Sequence, residues 1–293
     1  DHKSQAGRGR RARSGVARVC AGSRLVSDFL ETVMGRRRAR IRAEYGDLSS
    51  AERERLAACG RPVRDFAAAL RERDDVAVIA EVKKASPSAG PIAPECEASK
   101  QALHYQDGGA AAISVLTEPE YFGGSFADLS DVADAVDVPV LCKDFVVDPV
   151  QLYVARGHGA DAVLLMVSVL GHLTRDFADT AGTLGLTPLV EVASEAEMAI
   201  ALGVRSGVVA FNSRDLRTLK VDTERARGIM TGAGCFDITR VAASGIANRA
   251  DVEAAAAAGA DAVLVGETLM RSSFPEDVLR ELTGVRKGAR HGQ

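Results

Sequence analysis

The stretch PVLCKDFVVDPVQLYVARGHGADAVLLMV, residues 139–167, shows the pattern that decides the fold. It covers nearly all of two apolar runs, residues 138–144 and 160–167, that are rich in Val, Leu and Ala on both faces. Such runs are typical of parallel strands that are covered on both sides. A helical stretch separates the two runs, so the segment predicts one strand–helix–strand unit of a parallel sheet.

Six further runs of the same kind extend this pattern over the rest of the chain, again with helical stretches between them. Eight consecutive strand–helix units predict an α/β protein with a closed (β/α)₈ TIM barrel. An open doubly wound sheet is the main alternative, but eight units in succession favour closure. No GxGxxG motif follows the first strand, so a dinucleotide site has no support. The six runs are residues 76–82, 111–117, 187–192, 206–212, 238–244 and 260–266.

Upstream of the first strand, residues 25–46 and 61–75 alternate apolar and charged side chains at helical spacing. We expect one or two extra helices there, which cap the bottom of the barrel or flank its mouth. This N-terminal helical extension, residues 25–75, would form one domain with the barrel at residues 76–285. Residues 1–24 are rich in Gly, Ser and Arg and predict a disordered basic tail.

Composition excludes several classes of protein. Of the 293 residues, 46% are hydrophobic and 26% charged, which suits a packed core with a solvated surface. The net charge of −3 argues against nucleic acid as a partner, and the Arg-rich runs near the start fit a solvated tail better. Five scattered cysteines without a CxxC pair fit a reducing cytoplasm rather than a disulfide framework or a zinc site. No apolar run approaches the roughly 20 residues needed to span a bilayer, so we expect a soluble cytoplasmic protein without a membrane partner.

Polar side chains stand at the ends of four predicted strands, which is where this fold carries its chemistry. Residues two apart on a strand point the same way, so the pair that ends the first strand should enter the barrel together. Charges in a barrel mouth are poorly solvated and would be costly without a partner or a function. Acid–base catalysis on an anionic substrate is the favoured reading, and a structural ion-pair network is the alternative. The group comprises Glu81, Lys83, Lys143, Glu191, Asn212 and Arg214.

Two glycine-containing turns follow the seventh and eighth strands, Ser244–Gly245 and Gly266–Glu267. In barrels of this type, the loops after these two strands commonly bind phosphate through backbone N–H groups. A plain turn is the alternative at each position taken alone. The loop after the first strand, residues 84–94, contains Ser86 as a further phosphate contact and has the composition of a mobile lid, or of an ordinary surface loop.

Several longer phrases, taken together, resemble the indole-3-glycerol-phosphate synthase family. The resemblance covers about residues 61–285 and implies ring closure of 1-(2-carboxyphenylamino)-1-deoxyribulose 5-phosphate, with loss of CO₂ and water. It implies neither a metal nor an organic cofactor. A phosphorylated small molecule would be the partner, and the chain would be a monomer or a weak homo-oligomer. The phrases include AEVKKASPSAG (80–90), SVLTEPEYFGGS (114–125), LVEV (189–192), FNSRDLRTLKVD (211–222) and GADAVLVGETLM (259–270).

The resemblance also implies a role for each polar group. Lys143 would be the general acid that protonates the ketone, and Lys83 would hold the substrate carboxylate and then help to expel the hydroxyl as water. Glu191 would be the base or proton relay of the dehydration, and Glu81 would orient the lysines. Asn212 and Arg214 would hold the substrate and position the groups next to it, and Phe122 and Phe145 would wall the anthranilate pocket. The residues implied to bind the phosphate are Ser86, Ser244, Gly245, Gly266 and the backbone near Glu267.

Two positions depart from the family pattern. Ala243 stands where the family usually has a glutamate that faces the substrate, and Cys142 stands where a long side chain often precedes the lysine. The first departure leaves two alternatives open. One is a paralog that acts on a modified anthranilate-derived substrate in secondary metabolism. The other is a weakly active barrel that binds a phosphorylated ligand.

Overall fold

Eight parallel strands close into a barrel in the computed structural model, which describes residues 17–204, 206–216 and 218–288. Each strand pairs with the next one along the chain, and the last pairs with the first. Every strand lies within its predicted run, so the predicted fold class is confirmed. The barrel strands are β1 (Ala77–Val82), β4 (Ala112–Leu116), β5 (Val140–Lys143), β6 (Ala162–Met166), β7 (Thr187–Val192), β8 (Val208–Asn212), β9 (Thr239–Ala243) and β10 (Ala262–Val265).

Alternation along the strands divides the core into two layers. Side chains such as those of Ile79, Leu164 and Leu189 fill the inside of the barrel. Their neighbours, such as Val78 and Leu165, pack outward against the helices. Because successive strand residues point to opposite faces, the inner rows continue upward into the polar residues at the strand ends.

Helices follow each strand and cover the outside of the barrel. Several begin at the caps that the sequence provides: the side chain of Ser194 accepts from Glu197 N, and that of Asn248 accepts from Asp251 N. The helices of the barrel are α4 (Ala98–Asp107), α5 (Pro119–Phe122), α6 (Phe126–Ala135), α7 (Val150–Gly157), α8 (Val167–Leu170), α9 (Thr174–Thr183), α10 (Glu195–Leu202), α11 (Thr223–Gly232), α12 (Arg249–Ala257), α13 (Glu267–Met270) and α14 (Pro275–Leu282), with a 3₁₀ turn at Gly171–Leu173.

The N-terminal extension contains three helices rather than the predicted one or two: α1 (Ala17–Tyr45), α2 (Ser50–Ala58) and α3 (Phe66–Arg71). The unpredicted helix, α2, begins at a capping box in which Ser49 and Glu52 each bond the backbone of the other. Of the predicted tail at residues 1–24, residues 1–16 lie outside the described residues. The helical backbone of α1 already begins at Ala17, earlier than the predicted start of the extension.

Both predicted positions of the extension are occupied, by different helices. Phe66 and Leu70 of α3 are fully buried against the lower ends of the strands, so α3 caps the bottom of the barrel. Leu30 of α1 lines a pocket together with Glu191 and Asn212, at the upper ends of the strands. The extension therefore touches the two ends of the barrel through two separate helices.

The loop after β1 is folded into a small hairpin. Its strands are β2 (Ala85–Ser86) and β3 (Gly90–Pro91), which pair antiparallel. The hairpin closes on its own base, since the backbone N–H groups of Ile92 and Ala93 donate to the Lys84 carbonyl at 2.8 and 3.0 Å. Elsewhere, none of the helices in the described ranges combines the length and the apolar character needed to cross a membrane.

Candidate active site

A cavity of about 440 Å³ opens at the upper ends of the strands. Its wall contains all six polar residues that the sequence singled out, together with both glycine-containing turns. The inner rows of β1, β5, β7 and β8 bring them together, because each residue lies at the top of its strand. The shared wall includes Glu81, Lys83, Lys143, Glu191, Asn212, Arg214, Ser244, Gly245, Gly266 and Glu267.

Glu81 and Lys83 form an ion pair on one side of the cavity, with Lys83 Nζ 2.9 Å from Glu81 Oε1. The Glu81 residue is only 4% exposed. Burial alone would raise the pKa of this carboxyl, but the positive charges of Lys83 and Lys143 outweigh that effect and hold the pKa below its usual value. The carboxylate is therefore ionised at neutral pH, and it fixes the position of Lys83.

The close approach of this pair to the backbone requires Gly266. A Cβ at that position would lie 2.6 Å from Glu81 Oε1 and 3.1 Å from Lys83 Nζ. The missing side chain of Gly266 thus provides the space in which the ion pair lies. Consequently the turn after β10 and the end of β1 form one unit.

Glu191 and Asn212 form a second buried pair across the cavity. Asn212 Nδ2 donates to Glu191 Oε1 at 2.9 Å, and Asn212 Oδ1 accepts from the backbone N–H of Arg214 at 2.8 Å. Both side-chain functions of Asn212 are used, so its amide orientation is fixed. The guanidinium of Arg214 donates to the Leu219 carbonyl at 3.1 Å and lies on the cavity wall. This side of the cavity is therefore held in one arrangement before any ligand binds.

Lys143 ends β5 and faces the cavity between these two pairs. Within the described ranges its ammonium forms no ion pair, whereas Lys83 is held by Glu81. The two lysines therefore differ in kind. One is fixed by a carboxylate, and the other is available to a ligand.

An apolar pocket adjoins Lys143 on the side of α5. The rings of Phe122 and Phe145 lie 6.2 Å apart at an interplanar angle of 48°, and Met166 and Leu216 complete the wall. Glu118 fixes the backbone that carries the first of these rings, because its carboxylate accepts from the Phe122 N–H at 3.2 Å. A flat aromatic group with an acidic substituent would find both an apolar wall and a cation here.

The two turns on the opposite side have unusual backbone geometry. Ser244 and Gly245 have consecutive positive φ angles of 67° and 78°. A serine with left-handed backbone geometry is uncommon, because this conformation costs free energy. Such strained residues cluster at functional sites. Gly266 and Glu267 lead into α13, with the Glu267 side chain turned to Arg271 at 2.9 Å. The Glu267 carboxylate is therefore already paired with a cation before any ligand binds.

Ser86 stands apart from the other predicted phosphate contacts. It is buried in the hairpin, where its Oγ accepts from the Ala89 N–H at 3.2 Å. Ser86 is absent from the residues that line the cavity. A direct contact with a ligand would need the hairpin to move, so this residue stays a prediction.

The two departures from the family pattern differ in their consequences. Ala243 is 3% exposed and lies on the cavity wall, in register with Asn212. Cys142 points outward into the layer between strands and helices, and burial raises the pKa of its thiol to about 12. The exchange at Cys142 therefore does not reach the cavity, whereas Ala243 gives the cavity an apolar patch.

Sequence reasoning missed a buried ion pair directly beside the site. Arg37 of α1 and Asp144, the residue after Lys143, are hydrogen-bonded with Nε 2.9 Å from Oδ1. A signal for it exists in the sequence. Arg37 falls at helical spacing between Val33 and Ile41, which both face the core, so a charge there predicts a buried partner.

Comparisons with known proteins show the family of this chain. The family model for indole-3-glycerol phosphate synthase matches residues 30–282. The proteins of that name from Mycobacterium avium (strain 104) and Mycobacterium tuberculosis (strain H37Rv) are each 44% identical to this chain over 254 residues. Those matches cover 86% of this chain and 93% of the relative.

Solved structures add information on the fold alone. A 3-hexulose-6-phosphate synthase has a TM-score of 0.59 at 17% identity, and a mutant tryptophan synthase α-subunit from Pyrococcus furiosus has 0.56 at 14%. Each match covers 71% of this chain and 98% of the other. At such low identity, these likenesses support the barrel and say nothing about the reaction.

Proposed function

The chain belongs to the indole-3-glycerol phosphate synthase family, and we propose how its residues carry out the ring closure that defines this carboxy-lyase of tryptophan biosynthesis. One observation carries the proposal. Lys143, which forms no ion pair with any residue that the structure describes, faces a cavity that also holds a fixed lysine–glutamate pair and a fixed glutamate–asparagine pair. That set supplies one small molecule with an acid, a cation that binds its carboxylate, and a base.

Lys143 acts in the first step as the general acid. A bond forms between the ketone carbon of the substrate and the ring carbon that bears the carboxylate. The ketone oxygen takes a proton from the Lys143 ammonium and becomes a hydroxyl. The bond to the carboxylate then breaks, its electron pair returns to the ring, and CO₂ leaves. Lys83 holds the carboxylate before this departure, in the position that Glu81 gives it.

Glu191 and Lys83 act in the dehydration. The new hydroxyl leaves as water with a proton from Lys83. Glu191 removes the proton from the neighbouring carbon, and the electron pair of that C–H bond forms the double bond of the indole. Asn212 bonds one oxygen of Glu191, which leaves the other oxygen for the substrate. Arg214 lies on the same wall and holds the sugar portion of the substrate.

The ends of the substrate lie on opposite sides of the cavity. Phe122 and Phe145 enclose the anthranilate ring, and the backbone N–H groups of the turns at Ser244–Gly245 and Gly266–Glu267 bind the phosphate. Inorganic phosphate should then be a competitive inhibitor. A purely non-competitive pattern would argue against these turns as the phosphate site.

We test the function by mixing the purified protein with 1-(2-carboxyphenylamino)-1-deoxyribulose 5-phosphate and following indole fluorescence. We expect a fluorescence rise, with one CO₂ released for each indole formed. Binding of the substrate without either product would instead favour the non-catalytic phosphate-ligand barrel. Turnover only of ring-substituted substrates would favour the paralog.

We also propose that one chain is a complete active unit that works in the cytoplasm. The support is that a single chain supplies every proposed catalytic group and that Cys59, Cys96, Cys142 and Cys235 are free thiols, as a reducing compartment would keep them. Specific activity should therefore be independent of protein concentration. Loss of activity on dilution, in step with dissociation seen by light scattering, would overturn the single-chain unit.

A further inference from the structure

The ion pair between Arg37 and Asp144 lies directly behind the residue proposed as the acid. The two side chains are 3% and 0% exposed, and both nitrogens on one edge of the guanidinium meet the carboxylate, with Nε 2.9 Å from Oδ1. Arg37 belongs to α1, and Asp144 follows the last residue of β5. The contact therefore joins the N-terminal extension to the catalytic end of a barrel strand.

Further contacts hold the same short segment. Thr117 Oγ1 donates to Asp144 Oδ2 at 2.8 Å, and the Thr117 backbone N–H donates to the Lys143 carbonyl at 3.1 Å. On the other side, Gln151 Nε2 donates to the Phe145 carbonyl at 3.0 Å. Three consecutive residues, from Lys143 to Phe145, are thus fixed through partners outside the cavity.

The guanidinium itself has a defined position. It lies 5.7 Å from the centroid of the Phe126 ring, which stacks on His158 at 5.4 Å and meets Tyr45 edge-on at 6.4 Å. A planar cation held at both its edge and its face cannot shift without disturbing its partners. Asp144 has therefore little freedom to move along the strand direction.

We propose that Arg37 is a positioning residue that acts through Asp144 to set the place of the Lys143 ammonium and the Phe145 ring. The inference rests on the proposed roles of Lys143 and Phe145. The ion pair meets the side chain of Asp144, the residue that stands between Lys143 and Phe145 in the sequence. The extension then contributes to catalysis as well as to folding.

Arg37→Met tests the proposal by kinetics. We expect kcat to fall by about 10- to 100-fold, as misplacement of an acid by about 1 Å can cost that much, while KM changes by less than about threefold. Arg37→Lys keeps the charge but loses the two-pronged contact, so its kcat should be intermediate. The matched control is Arg40→Met on the same helix. Arg40 pairs with Glu44 at 2.8 Å with 47% of its side chain exposed, and its loss should change neither constant.

A second measurement does not depend on turnover. Lysines carrying isotope-labelled methyl groups give separate NMR signals, and the Lys143 signal is assigned by its loss in Lys143→Ala. We expect the Lys143 signal to move in Arg37→Met and in Asp144→Asn, and the signal of the exposed Lys100 to stay in place. Asp144→Asn preserves the shape of the side chain, so it covers the case in which Arg37→Met does not fold.

The outcomes separate the two proposals. If the wild type makes no indole product while the Lys143 signal still depends on Arg37, the function is wrong and the positioning stands. If variants that remain folded keep both the wild-type kcat and the wild-type Lys143 signal, Arg37 only stabilises the fold and the inference is overturned.

Discussion

Lys143 and Lys83 show how one residue type takes two roles in the same cavity. Lys83 is held by Glu81 at 2.9 Å, whereas Lys143 has no ion-pair partner among the described residues. Lys143→Ala should therefore abolish turnover and leave the fold intact, with kcat lower by about 10²–10⁴-fold, as is typical for a general acid. Stopped assays of product and a far-UV circular dichroism spectrum check the two parts. Lys100→Ala, on an exposed side chain of α4, is the control and should be fully active.

Ala243 separates the ordinary synthase from a paralog. Its methyl group lies on the wall beside Asn212, where a carboxylate could reach the polar middle of the substrate. A hydrogen bond regained in such a site is worth about 1–3 kcal/mol, so Ala243→Glu should raise kcat/KM on the ordinary substrate at least several-fold. Ala243→Gln, which adds the same bulk without charge, is the control. The opposite outcome is an Ala243→Glu variant that is slower and shows no preference for the ordinary substrate over a ring-substituted one. That result would mean that Ala243 is an adaptation to the ring-substituted substrate.

Residue-scale prediction succeeded where spacing along a strand decides the outcome. Glu81 and Lys83 are two positions apart, and Glu191 and Asn212 end neighbouring strands, so the period of two brings them into one cavity. Arg37 and Asp144 are 107 positions apart. No local pattern joins such residues, and only the packing of α1 on the barrel brings them into contact.

At the scale of elements, the turn after β10 and the end of β1 form one unit through Gly266. An added Cβ would press on Glu81 Oε1 at 2.6 Å, and the flexible carboxylate would have to move away. Gly266→Ala should therefore lower kcat/KM by at least about tenfold with little loss of stability, because the ion pair shifts and the backbone does not. Gly228→Ala is the matched control, since its Cβ in α11 would meet nothing within 4 Å. That control should be fully active and slightly more stable, by about 0.5–1 kcal/mol in urea unfolding.

The strands could be predicted more fully than the loops and the short helices. A strand covered on both sides needs apolar residues throughout, and this leaves a continuous run such as the one at 160–167. The hairpin β2–β3 has the composition of an open loop, because backbone bonds to Lys84 and the bond from Ala89 N–H to Ser86 Oγ hold it, and these leave no periodic pattern in the sequence. Helix α2 was missed because most of its residues are polar and its signal is confined to the Ser49–Glu52 capping box.

For the molecule as a whole, the two ends of the barrel have different roles: the upper end carries the cavity and the lower end carries packing. The upper end holds buried carboxylates that face the cavity, such as those of Glu81 and Glu191. The lower end is closed by the apolar side chains of α3, and its buried carboxylate Asp161 is paired with Arg61 at 2.7 Å. The packed lower end can therefore supply stability that the cavity-facing charges of the upper end cost.

Phe66 and Arg37 both belong to the N-terminal extension, but we expect Phe66 to affect stability and Arg37 to affect kcat. Phe66 is fully buried beneath the barrel, and its truncation leaves a cavity that neighbouring strands cannot fill. Phe66→Ala should cost about 3–5 kcal/mol of unfolding free energy and leave kcat within about twofold at a temperature where the protein stays folded. Urea unfolding and initial rates on the same samples measure both. Phe274→Ala, which removes a ring that is 70% exposed, should change the unfolding free energy by less than about 0.5 kcal/mol. If Phe66→Ala lowered kcat as strongly as Arg37→Met, the bottom of the barrel would be coupled to the chemistry, and the separation of the two ends would be wrong.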